Sequence, residues 1–219
     1  MIHARRLVVN LTLTSLAAIV AACATDTTSP RMHAAPSAVR DLGGGCDDTT
    51  LLIASPDAPV IANPSISFTA IKGRDTLVKM YYHATKPGAH DSTVFAVFRV
   101  PAKALASLPD GTPIADGQSV TITMTLVDGA HGVIDFQPSG LRFSTKNPAV
   151  LRITYADDDL DLNHDGVVDS ADSALVRTFY IGGRETPDSP WFRVPSALVQ
   201  EAGEVEGSIS GFTGYAILF

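Results

Sequence analysis

The sequence is poor in cysteine, tryptophan and positive charge. Its 219 residues include two cysteines, Cys23 and Cys46, and one tryptophan. Two cysteines allow one disulfide at most. That excludes a cysteine-stapled scaffold and leaves stability to a hydrophobic core or a bound metal. Lys and Arg number 16 against 23 Asp and Glu, for a formal net charge of −7. No run of basic residues breaks that balance, so the face that phosphate backbones require is missing and nucleic acid is excluded as a partner. Catalytic signatures are also missing: there is no G-x-S-x-G, no H-E-x-x-H and no phosphate-binding glycine loop. His90-Asp91-Ser92 is contiguous, whereas a catalytic triad is assembled across space. His83 and His131 stand alone in sequence. The expectation is a protein that is not an enzyme. What is present is apolar residues at 45% and charged residues at 18%, the composition of a folded domain.

Residues 1–22 have the layout of a secretory signal peptide. Arg5 and Arg6 precede a mostly apolar stretch, 7–20, which is interrupted by Asn10, Thr12 and Thr14 and is short for a membrane-spanning helix. Small residues then lead to Cys23. The stretch Val20-Ala21-Ala22-Cys23 resembles the lipobox of bacterial lipoproteins. That resemblance implies a diacylglycerol on the Cys23 sulfur and cleavage that leaves Cys23 as the new N-terminus. It also implies export to the bacterial cell envelope, and Ala24 in place of an aspartate implies the outer membrane. Acyl chains bury many methylenes at about 0.8 kcal/mol each, so a multiply acylated cysteine holds well. Residues 23–63 are rich in Thr, Ser, Pro, Ala, Gly and Asp and read as a flexible tether of roughly 35 Å root-mean-square length. Cys46, in GGGCDD, reads as a free thiol within it. LLIASPDAPVIA, near the end of the tether, contains a candidate first strand.

Residues 64–219 read as mainly β, an antiparallel β-sandwich. SISFTAI (65–71), TLVKMYYH (76–83), STVFAVFRV (92–100), SVTITMTLV (119–127), GVIDF (132–136), LRFS (141–144) and AVLRITY (149–155) alternate or are rich in β-branched and aromatic residues. WFRV (191–194), VEGSI (205–209) and GYAILF (214–219) continue the series. Turn signals such as KGRD, KPGAHD, PDGTP and QPSG separate them. PAKALASL (101–108), with Pro101 in the first position, reads as a short helix. Short strands at this spacing indicate a sandwich. Gly140, Leu141, Phe143, Ser144, Pro148, Ala149, Leu151, Ile153 and Tyr155, followed by Trp191, Phe212, Tyr215 and Ala216, resemble the β-sandwich domain shared by ankyrins and netrin receptors. The resemblance spans roughly residues 90–219 and implies a structural or interaction module without catalysis.

Between Tyr155 and Trp191 lies DLNHDGVVDSAD (161–172). With Asp161 at loop position 1, Asn163 falls at 3, Asp165 at 5, Gly166 at 6, Val167 at 7, Asp169 at 9 and Asp172 at 12. This is the register of an EF-hand calcium loop. Calcium takes six to eight oxygens at about 2.3–2.6 Å. Asp161, Asn163, Asp165, Asp169 and Asp172 offer side-chain oxygens, Val167 its backbone carbonyl, and Gly166 the sharp turn. Val168, at position 8, is apolar, as a loop packing on a neighbour requires. Position 12 is Asp rather than Glu. Residues 161–183 resemble one half of a dockerin, whose calcium loops close on Asp. In the helix that follows, Ala171, Leu175 and Phe179 share a face and Gly182-Gly183 provide the stop. A second loop in the same register is absent. Residues 157–172 contain seven aspartates and no Lys or Arg, a concentration of like charge that a cation would relieve. The competing readings are an acidic, solvated turn without metal and a glycosidase carboxylate pair.

Together these features lead to the expectation of a calcium-binding, membrane-anchored envelope lipoprotein. It would be a non-catalytic structural or interaction module with a calcium ion holding the loop. The membrane would be engaged through Cys23, with a protein or polysaccharide as further partner. The alternative is a dockerin-like docking module for a cohesin-type partner in polysaccharide degradation.

Overall fold

Alternation between apolar and hydroxylated side chains builds the sheets. In SVTITMTLVD, Val120, Ile122 and Met124 turn inward and are buried, while Thr121 and Thr123 turn out. The outer face is laddered by hydroxyls: Ser65 meets Thr125 at 2.9 Å and Ser67 meets Thr123 at 2.8 Å. The structure, a computed structural model, describes residues 49–83 and 93–219. Cys23, Cys46, the signal segment, residues 23–48 of the tether and His90-Asp91-Ser92 lie outside the described residues.

In chain order the elements are β1 (Ser65–Ile71), β2 (Thr76–Tyr81), β3 (Val94–Val100), β4 (Leu105–Ser107), β5 (Ser119–Asp128), β6 (Val133–Gln137), β7 (Arg142–Phe143) and β8 (Ala149–Thr154). Helix α1 (Ser170–Val176) follows, then β9 (Tyr180–Arg184), β10 (Phe192–Arg193), β11 (Ser196–Val199), β12 (Glu204–Ile209) and β13 (Gly214–Leu218). One sheet has six strands in the order β1-β5-β6-β13-β9-β10, and the other has five in the order β11-β12-β8-β3-β2. β4 and β7 form a small two-stranded sheet. Every strand pairing is antiparallel. The core joins the two large sheets. Phe98 of β3 lies 4.7 Å, centroid to centroid, from Phe136 of β6, and Phe136 stacks on Phe212 at 5.0 Å. Phe143 meets the edge of Phe212 at 5.1 Å.

Several expectations are corrected. PAKALASL is a turn followed by β4, not a helix. Ala104 N–H donates to Pro101 O, and Leu105 pairs with Phe143. An eight-residue segment is too short to hold a helix against tertiary pairing that buries Ala104 and Leu105. The helix expected up to Gly182-Gly183 ends at Val176, and both glycines belong to β9. They are glycines because neighbours press on the strand. A Cβ on Gly182 would sit 2.3 Å from a Leu218 methyl, and one on Gly183 would sit 2.6 Å from the Phe192 ring. Phe179 is buried as expected but lies beyond the helix. Residues 49–63, assigned to the tether from composition, lie along the domain. Thr50 and Phe219 exchange backbone hydrogen bonds of 3.1 and 3.0 Å, Leu52 N–H donates to Ile217 O, and Leu52 is buried.

The turn before β13 is pinned by Tyr215. Its ring is buried and its hydroxyl donates to the carbonyl of Gly211. Burial pushes that hydroxyl well above the usual tyrosine range, so it stays a donor at every ordinary pH. Tyr215→Phe leaves the Gly211 carbonyl without its donor. The expected cost is about 1–2 kcal/mol, seen as a lower denaturant midpoint with an unchanged slope. An unchanged midpoint would show that the hydroxyl does not hold the turn.

Candidate metal-binding loop

The loop leaves the end of β8, where Thr154 Oγ1 donates to Gly203 O and accepts from Ala156 N–H. The acidic run after it is stitched to the N-terminal segment. Ser55 N–H donates to Asp157 O, and Asp159 N–H donates to Ile53 O at 2.8 Å. Burial, reinforced by the charge of Asp157, pushes the Asp158 carboxyl up to about 7. Burial, with the charges of Asp158 and Asp157 added to it, also raises the Tyr82 hydroxyl above the usual tyrosine range.

The Asp158 pKa carries a prediction for calcium-free buffer. The folded value, about 7, lies above the ordinary aspartate value of 3.8, so the folded state holds this proton more tightly than the unfolded one. The resulting stability is complete below pH 3.8 and is lost as pH rises through 7. Asp158→Asn is therefore expected to melt several degrees above the unsubstituted chain at pH 8, with the difference gone near pH 3.5. Parallel melting curves that differ equally at both pH values would refute the assignment.

From Asp161 onward the loop is wound by its own carboxylates. Asp161 Oδ1 accepts from Asp165 N–H at 3.1 Å, and Oδ2 accepts from Gly166 N–H at 2.8 Å. Asn163 Oδ1 accepts from Asp165 N–H at 2.9 Å, while Asn163 Nδ2 donates to Asp165 Oδ2 at 3.0 Å. Asp165 Oδ1 accepts from Val167 N–H at 2.9 Å. Gly166 turns the chain at φ 89° with open space where a Cβ would be, and His164 also has a positive φ of 59°. Asp169 caps α1 by accepting from Ala171 N–H at 2.7 Å.

Asp172 ties the two ends of the loop together. Its Oδ2 accepts from Asp169 N–H at 2.9 Å and completes the capping box. Its Oδ1 accepts from Leu162 N–H at 2.8 Å and Asn163 N–H at 3.2 Å. It is 1% exposed. The Asp169 amide, ahead of those of Asn163 and Leu162, holds this carboxyl below the usual range against the opposing effect of burial. Leu162, beside it, is buried in the core.

Of the six residues expected to surround an ion, Asp161, Asn163, Asp165, Asp169 and Asp172 each accept at least one backbone N–H of the loop through a side-chain oxygen. Among the described residues, no three His, Cys, Asp or Glu side chains converge closely enough to hold a metal. The donor chemistry nonetheless fits a hard cation, since the set holds carboxylate, amide and carbonyl oxygens and no nitrogen or sulfur ligand. Among the described residues, none of the seven aspartates of 157–172 forms an ion pair. Val168 departs from expectation. It is 62% exposed, as is Val167. Leu175 is half-buried against the core, while Ala171 is exposed. His131 does not stand alone: its Nδ1 lies 2.8 Å from Asp128 Oδ2. Among the described residues no helix is long and apolar enough to cross a membrane. The chain has no match among the protein families, curated proteins or solved structures with which it was compared.

Proposed function

We propose that the chain is a calcium-stabilised, non-catalytic module of the bacterial cell envelope, exported and lipid-anchored through Cys23 to the outer membrane. The observation that carries the calcium part is Asp172. One buried carboxylate joins loop positions 2 and 3 to the cap of α1, so whatever orders the loop also orders the helix. Asp161, Asn163, Asp165, Asp169 and Asp172, with the Val167 carbonyl, are the residues that hold the ion. The ion would neutralise crowded like charge and fix the loop without taking part in a reaction. The anchor rests on the Val20-Ala21-Ala22-Cys23 stretch alone. A protein or polysaccharide partner would meet the sandwich.

The dockerin-like alternative fits less well, because the element entering the loop is the strand β8 rather than a helix. Calorimetric titration of calcium into the full chain tests the main reading. The expected result is saturable one-to-one binding, lost in an Asp161→Ala, Asp165→Ala double variant. No heat at millimolar calcium would leave the segment an acidic turn.

A further inference from the structure

A cavity of about 520 Å³ opens between the β6–β7 turn, the start of the β9–β10 connection and the turn leading from β12 into β13. That volume is within the range of small-ligand sites. The cavity lies at the far end of the sandwich from the acidic loop. β8 pairs Ala149 with Ile209, which lines the cavity, and Thr154 with Glu204 beside the loop. Five steps of strand separate the two ends, about 17 Å.

The walls are set by glycines. A Cβ on Gly183 would fall 2.6 Å from the Phe192 ring and 3.1 Å from Tyr215 Cε1, so only glycine lets those two rings close on the strand. A Cβ on Gly211 would fall 3.0 Å from Arg142 Nη1, so the Arg142 guanidinium lies over bare backbone. Arg184 over Trp191, at 4.6 Å, braces the connection between β9 and β10.

The lining has three chemical characters. The charged residues along it are Arg142, Arg193 and Glu185. Among the described residues no carboxylate lies within 4.0 Å of either guanidinium. Arg193 stacks on Tyr180 at 4.1 Å, on the face of the β9–β10 ladder opposite Phe192, so Arg142 is the guanidinium on the cavity side. Ser208, Ser210 and Thr213 also line it. The Thr213 hydroxyl is buried without a hydrogen-bond partner in the protein. Phe192 is 47% exposed and supplies an aromatic face.

We propose that this cavity binds an acidic sugar, a hexuronate or a short oligomer of one. The carboxylate would pair with Arg142, the ring hydroxyls with those of Ser210 and Thr213, and the C–H face of the ring with Phe192. A bare anion would leave Phe192 and the hydroxyls unused. A purely apolar ligand would strip water from the Arg142 guanidinium without replacing it. The proposal does not depend on calcium at the acidic loop, because it uses none of those residues.

The test is chemical-shift titration of the full chain with digalacturonate, with neutral galactobiose and inorganic phosphate as comparisons. Each is run in calcium and again in chelator, so a failure of the calcium reading appears separately. Saturable shifts at cavity residues with digalacturonate, at least roughly tenfold weaker with galactobiose and with phosphate, are expected. Arg142→Gln should weaken digalacturonate about tenfold. Phe192→Ala, a change at an exposed ring, provides a second variant should Arg142→Gln fold poorly, and it too should weaken binding. No saturable shift with digalacturonate, or equal binding of galactobiose or phosphate, overturns the proposal.

Discussion

In millimolar calcium the full chain is expected to melt roughly 5–10 °C above its melting temperature in chelator. A ligand present at a hundred times its dissociation constant stabilises the folded state by about 2.7 kcal/mol, and in a domain of this size each kcal/mol is worth about 2–4 °C. Two sets of variants divide the effect. Asp161→Ala with Asp165→Ala removes one half-buried and one exposed carboxylate; it should flatten the calcium response and, because both accept loop amides, lower the chelator value, though by less than loss of Asp172. Asp172→Ala removes the acceptor for three backbone amides. It should lower the melting temperature in chelator as well, because loop and helix then separate. Identical melting with and without calcium in the unsubstituted chain would end the calcium reading. A chelator value for Asp172→Ala equal to that of the unsubstituted chain would deny Asp172 its role as the tie.

The second large effect concerns the seam between the sheets. Phe98 is fully buried and its ring lies within 6.3 Å, centroid to centroid, of Phe68, Phe136, Phe143 and Phe212. Truncation to alanine leaves a cavity that strands paired on both sides cannot collapse to fill. Phe98→Ala is expected to cost about 3–5 kcal/mol, lowering the melting temperature by on the order of 10 °C. Phe98→Leu, which keeps most of the volume, should cost far less. Denaturant titration separates them, and a loss below about 1 kcal/mol for the alanine variant would contradict the packing of the two sheets through this ring.

Much of the fold was legible because the sheets are two-faced. SISFTAI became β1 residue for residue, and the alternation in SVTITMTLVD set which side chains of β5 are buried. The failures share a cause: local signal was overridden by contacts distant in sequence. YIGGR carries a glycine pair that looks like a helix stop, yet it is the inner strand β9, and the reason lies in the Leu218 and Phe192 side chains that press on it. PAKALASL has helix-forming residues, but its partner is Phe143, far along the chain. For the candidate site, spacing revealed the oxygen donors and the turn at Gly166. It did not reveal that Asp172 is buried with both oxygens on backbone amides, since that depends on where Leu162 meets the core. Nor did it reveal the cavity, whose lining is gathered from separate stretches between Ser139 and Tyr215.

The pairing of Thr50 with Phe219 has a topological meaning. Residues 50 and 219 lie side by side, so the described backbone between them is nearly a closed ring. A short linker from residue 219 back to residue 49 would close that ring, and a new opening at the exposed Asp110-Gly111 turn would give a permuted chain with the same strand neighbours. The order in which the strands are made would change, but the set of contacts that hold them would not.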